Sequence, residues 1–172
     1  MARDLTRIGE RAWQESQERC TSRYHYVTDL DHLRACHAAL PRDRAAGVDG
    51  VGKEEYGRNL EEKLTELSAK LGRLGYRPQP VKRVYIRKPG TNKQRPLGIL
   101  CCEDKLVHLA LERVMEQIYE ADFLDSSYGY RPGRTQHQAV DQLGRTIQQR
   151  PVNYIIEADI KGFMTTSIKS GC

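Results

Sequence analysis

The chain has little of what several function classes require. No apolar run reaches the roughly 18 residues that span a bilayer, and the N-terminus, MARDLTRIGERAW, has no apolar core of a signal peptide. The expectation is a cytoplasmic protein with no membrane partner. The five cysteines, Cys20, Cys36, Cys101, Cys102 and Cys172, form no Cys-x-x-Cys pair and are odd in number. That argues against a disulfide framework and against a zinc knuckle. His32, Cys36 and His37 lie within one helical stretch, but no second pair of ligands completes a metal set. No internal repeat or low-complexity block is visible. The most informative absence is of acid: from Tyr76 to Leu100 there is no Asp or Glu.

That stretch, YRPQPVKRVYIRKPGTNKQRPLGIL, holds seven basic residues, Arg77, Lys82, Arg83, Arg87, Lys88, Lys93 and Arg95. The whole chain carries 28 basic and 23 acidic side chains, a net of +5; without this stretch 21 basic residues face 23 acidic ones. The basicity is therefore local, which points to a phosphate-binding surface rather than to general solubility charge. The period is that of strands: Val81, Arg83, Tyr85 and Arg87 face one way, Lys82, Val84, Ile86 and Lys88 the other. Pro89-Gly90-Thr91-Asn92 is a turn signal, and Arg95 to Leu100 can return as the partner strand. The stretch is thus a β-hairpin with cations along its arms and tip. A plainer account stays open, that of an exposed edge hairpin kept soluble by Lys and Arg.

At 172 residues the chain is about one domain, long enough to bury a core, with 38% hydrophobic and 30% charged residues. Residues 3–20 are helix-compatible, with Leu5, Ile8, Ala12 and Trp13 as a thin apolar stripe. A second helix spans about 29–40, capped by Thr28 or Asp29 and ended by Pro41. Arg42 to Gly50 is a loop whose small residues and glycines suit close backbone approach. Tyr56, Leu60, Leu64, Leu67 and Leu71 predict an amphipathic helix over 53–72, closed by Gly72 and Gly75. Glu103 to Tyr119 predicts another, burying Leu106, Val107, Ala110, Leu111, Val114, Met115 and Ile118, with Asp104 near its start where the dipole favours an acid. The Gly/Pro loop Ser126 to Arg134 interleaves Tyr128 and Tyr130 with Arg131 and Arg134, a pattern that can stack bases and hold phosphates. A helix follows over 135–149. Val152 to Ile160 reads as a buried strand, with Asp159 at its end. A buried carboxylate there is costly unless paired or metal-bound, while a solvent-facing one is ordinary. Residues 164–172 have no period.

These pieces, in this order, resemble group II intron-encoded reverse transcriptases, the intron maturases. The resemblance runs from about residue 40 to 163 and is carried by Ala46-Gly47-Val48-Asp49-Gly50, Tyr76-Arg77-Pro78 with Pro80-Val81-Lys82-Arg83-Val84, Ile86-Arg87-Lys88, Arg95-Pro96-Leu97-Gly98-Ile99, Asp104-Lys105-Leu106-Val107, Ile118-Tyr119-Glu120, Ser127 to Arg134 with His137 and Ala139, and Asp159-Ile160-Lys161-Gly162-Phe163. It implies an α+β right-hand polymerase. Residues 1–45 would be an N-terminal helical extension, 46–151 the fingers, 152–163 the first palm strand, and 164–172 an irregular tail.

The resemblance also implies roles. Lys82, Lys88 and Arg95 would hold the triphosphate of an incoming dNTP, with Phe163 as the aromatic that blocks a ribose 2′ hydroxyl. Asp159, with the Ile160 carbonyl, would hold Mg²⁺ as the first of three catalytic carboxylates in a two-metal site. Arg77, Arg83, Lys93, Tyr128, Tyr130, Arg131 and Arg134 would contact nucleic acid. The implied partners are RNA, a DNA primer and dNTP. The sequence departs from the family at Arg87, at Leu100-Cys101-Cys102 and at Met164-Thr165-Thr166. It contains no Tyr-Ala-Asp-Asp motif. The expectation is a truncated palm, inactive alone as a polymerase and prone to self-association through an unpaired strand. A non-enzymatic RNA-binding or splicing-assisting module and a degenerate remnant are the alternatives.

Overall fold

The computed structural model describes residues 5–6, 8–10, 23–87 and 89–160. The chain divides into two compact units, Met1–Phe123 and Leu124–Cys172.

The first unit is a helical body with one hairpin. It contains α1 (Tyr24–Val27), which the periodicity did not reveal, and α2 (Leu30–Ala39). Asp29 caps α2: its carboxylate accepts the His32 N–H at 3.0 Å, satisfying a donor that the first turn leaves without a partner. Thr28, the other residue suited to that cap, donates instead to the His25 carbonyl. After Pro41 the chain turns back, and the Lys53 ammonium donates to the carbonyls of Ala38 and Leu40 at the end of α2.

The helix expected over 53–72 is broken into α3 (Lys53–Tyr56), a 3-10 turn (Gly57–Asn59) and α4 (Leu60–Gly72). Gly57 and Asn59 are weak helix formers, so the interruption falls there. The apolar period survives it: Tyr56, Leu64, Leu67 and Leu71 are buried. The end of α4 also differs from expectation. Neither glycine takes the left-handed position; Leu74 does, at φ 54°. The Gly75 N–H donates to Lys70 O and the Leu74 N–H to Leu71 O, both at 2.9 Å, the bond pattern of a Schellman cap.

The hairpin forms as expected. Strands β1 (Lys82–Arg87) and β2 (Gln94–Ile99) pair antiparallel, with Lys82 opposite Ile99 and Arg87 opposite Gln94. Gly90 in the turn has φ 72°. Then α5 (Cys102–Asp122) crosses the body. Leu106, Val107, Ala110 and Val114 are buried against Leu33, Leu64 and Leu67, with Ile8 from the helical residues 8–10 in the same cluster. Each fully buried Leu of this set contributes about 1.5–3 kcal/mol. Leu111 and Ile118 are only partly buried, and Met115, expected inside, is exposed. Among the described residues, the packing that buries the first half of this 21-residue helix does not extend over Met115.

The second unit has α6 (Gln136–Gln149), opened by a capping box in which Thr135 accepts from the Gln138 N–H and Gln138 accepts from the Thr135 N–H. No described residue of this unit is buried. The buried strand expected at Val152 to Ile160 is not found: these residues are exposed and have no strand pairing. A strand needs a neighbour to satisfy its backbone, and the only sheet among the described residues is the two-stranded hairpin. No described helix is long and apolar enough to cross a membrane.

Candidate nucleic-acid interface

The described cations of the hairpin stretch face solvent. Arg77, Lys82, Arg83, Arg87, Lys93 and Arg95 are all exposed, and among the described residues none of them pairs with a carboxylate. Lys88 lies outside the described residues. The register sorts the cations. Lys82 and Arg95 share one face with Val84, Ile86 and Leu97, because Val84 stands opposite Leu97 and Ile86 opposite Arg95. Arg83 and Arg87 point to the other face with Tyr85, opposite Gly98, Gln94 and Pro96 respectively. Lys82 and Arg95 are four pairs apart in this ladder, about 13 Å along the strands. They offer two points on a charged stripe.

The root of the hairpin is tightly built. Val81 lies on Gly98, where a Cβ would come within 2.6 Å of the Val81 Cγ1. Cys101 is buried, and Gly47 of the 42–50 loop meets it so closely that a Cβ there would fall 2.6 Å from the Cys101 backbone. This is the close approach for which the small residues of that loop are suited. The Lys105 ammonium donates to Ala45 O and ties the same loop to α5. Beside the root, Leu40, Pro41, Leu97, Leu100, Lys105 and His108 help line a groove of about 670 Å³, which no motif in the sequence marks out.

In the second unit the aromatic and basic loop is largely engaged with itself. The Arg131 guanidinium donates to the carbonyls of Leu124 and Ser127, at 2.9 and 3.0 Å. Arg134 lies over the Tyr128 ring, 5.2 Å from its centroid, and 3.4 Å from the Asp125 carboxylate. These two arginines shape the loop before they meet any ligand. Tyr130 is fully exposed at φ 56° and offers an open face for stacking.

Asp159 and Ile160 are exposed at the end of the described chain; Phe163 lies outside the described residues. Among the described residues no three His, Cys, Asp or Glu side chains gather as a metal site. One exposed carboxylate does not fit a two-metal centre. Of His32, Cys36 and His37, the first two find partners in the core. His32 Nε2 meets the Ala110 carbonyl at 3.1 Å, the Cys36 sulfur is 3.7 Å from that nitrogen, and burial pushes the Cys36 thiol up.

No protein-family model matches the chain. Curated proteins do. The chain is 34% identical over 158 residues, 92% of its length, to the group II intron-encoded protein LtrA of Lactococcus lactis subsp. cremoris, covering 26% of that protein. It is 37% identical over 127 residues to protein YkfC of Escherichia coli K12, a match spanning 70% of this chain and 32% of that one. An 82-residue match at 40% identity, 48% of this chain, reaches an uncharacterized 91 kDa protein in the cob intron of Schizosaccharomyces pombe, of which it covers 10%. The resemblance to a group II intron-encoded protein therefore extends over nearly the whole chain, and the chain spans about a quarter of that relative's length.

Proposed function

We propose that the chain is the fingers and the start of the palm of a group II intron reverse transcriptase, and that its Tyr76–Leu100 hairpin grips the phosphates of RNA and of an incoming dNTP. The observation that carries this reading is the set of six exposed hairpin cations with no carboxylate partner among the described residues. Cations held on a preformed strand pair lose little conformational entropy when phosphates arrive. The 92% coverage by an intron-encoded relative supports RNA as the polyanion. Tyr130 adds a stacking surface in the second unit.

Polymerisation is not proposed for this chain by itself, since among the described residues no three His, Cys, Asp or Glu side chains gather as metal-assisted phosphoryl transfer needs. That favours a second reading on the same surface, an RNA-binding module that acts without catalysis. The uncovered apolar residues Val152, Tyr154, Ile155 and Ile156 are proposed as its self-association surface.

The test is binding of a fluorescein-labelled oligouridylate of about 20 nucleotides across a salt series. The parent chain is compared with the combined variant Lys82→Gln, Arg83→Gln, Arg87→Gln, Arg95→Gln. Every phosphate that the variant no longer neutralises lowers the slope of log affinity against log salt by about 0.7 on a single strand. An unchanged slope would remove the hairpin from the interface. Primer extension by the purified chain with Mg²⁺ is expected to stay at background, and extension above it would overturn the inactive reading.

A further inference from the structure

Asp104 lies in the first turn of α5, where the dipole favours an acid. It is also 1% exposed, and no cation pairs with it among the described residues. A buried carboxylate without a cation is costly, and it persists only where hydrogen bonds replace the water it has given up. Both oxygens are used. Oδ1 accepts the Tyr76 hydroxyl and Oδ2 accepts the Gln79 N–H at 3.2 Å.

Those two donors belong to one short segment. Residues 76–81 carry no regular secondary structure and lead from the end of α4 to β1. Pro78 and Pro80 flank Gln79. Proline has no N–H, so Gln79 holds the only main-chain donor of that triplet, and Asp104 takes it. The prolines also stiffen the segment, so that fixing one end orients the other. Burial, and then the Asp104 carboxylate beside it, push the Tyr76 hydroxyl well above the usual tyrosine range, so it remains the donor. Beyond this segment every residue of β1 is exposed, as is β2 up to Gly98, so the hairpin's placement depends on its roots.

We propose that Asp104 is a positioning residue: its carboxylate pins the Tyr76–Gln79 strap to the start of α5 and so sets where the basic hairpin stands on the helical body. The consequence for phosphate binding rests on the reading of the hairpin given above. The pin itself does not.

The experiment uses the 172-residue chain with Tyr76→Phe, which removes the Oδ1 bond alone, and Asp104→Asn, which keeps the size but can accept only one of the two donors. Amide ¹⁵N order parameters are measured for β1, β2, α4 and α5, alongside oligouridylate affinity. In both variants the hairpin order parameters are expected to fall from about 0.85 toward 0.6 while those of α4 and α5 stay rigid. Affinity is expected to drop about tenfold with the salt slope unchanged, because the same phosphates are met from a looser platform. Unchanged hairpin order with a lowered melting temperature would overturn the proposal and leave Asp104 a core stabiliser. A loosened hairpin with unaltered affinity would uphold the pin and sink the phosphate reading. If Asp104→Asn does not fold, Tyr76→Phe decides alone.

Discussion

Helices α5 and α6 read alike in sequence and end differently. Both are amphipathic. In α5 the apolar stripe enters the core and Leu106 and Ala110 are fully buried. In α6 the stripe of Val140, Leu143 and Ile147 stays exposed. The contrast teaches that periodicity defines a face, while burial requires a surface to receive it. In the first unit α1, α2 and α3 pack on α5, and residues of α4 with Ile8 join the same core. In the second, the described residues supply none to α6.

The sharpest way to break this comparison is a matched pair of truncations. Leu106→Ala is expected to cost about 2–5 kcal/mol in urea unfolding. Leu143→Ala, on the uncovered stripe, is expected to stay within about 0.5 kcal/mol. Equal costs would mean that α6 is covered in solution.

A second test asks what the uncovered residues do. Sedimentation of the chain at about tens of micromolar is expected to show association. Ile155→Lys with Ile156→Lys should restore a monomer by placing charge where an edge would pair. A monomeric parent chain would remove the self-association surface.

The smallest expected effect is a pH dependence from a histidine buried in the first unit. His37 is buried against Tyr56 and its Nε2 has no hydrogen-bond partner among the described residues. Burial lowers its pKa from the usual 6.5; a hydrogen bond with the Lys53 backbone opposes this and the Lys53 charge adds to it. The folded state then binds fewer protons than the unfolded one. The His37 contribution is full above pH 6.5 and is lost as pH falls below that value through the depressed folded pKa. His37→Gln should flatten the slope of stability in that window; an unchanged slope would assign the dependence elsewhere.

Much of the candidate site was legible from the chain alone. An acid-free run of alternating cations around Pro-Gly marks a basic hairpin without reference to anything distant, and the register agrees. The cap of α2 was legible to within one residue for the same reason, since Asp29 acts within one turn of itself. Misreadings arose where the outcome depended on neighbours. Met115 is exposed on α5, and Val152 to Ile160 has the composition of a buried strand but no partner strand among the described residues. For Arg131 and Arg134 the structure adds local partners that the sequence does not show, the Leu124 and Ser127 carbonyls and the Asp125 carboxylate.

The sequence by itself determined the local quantities: which faces are apolar, where the positive charge gathers, and which family of intron-encoded proteins the chain resembles. Only the tertiary structure decided which segments Asp104 and Gly47 meet. Both act across more than 20 residues of chain, Asp104 on the Tyr76–Gln79 strap and Gly47 on Cys101. The physical reason is that a hydrogen bond or a van der Waals contact is set by distance in space, and no period or composition encodes which distant segment will arrive to meet it.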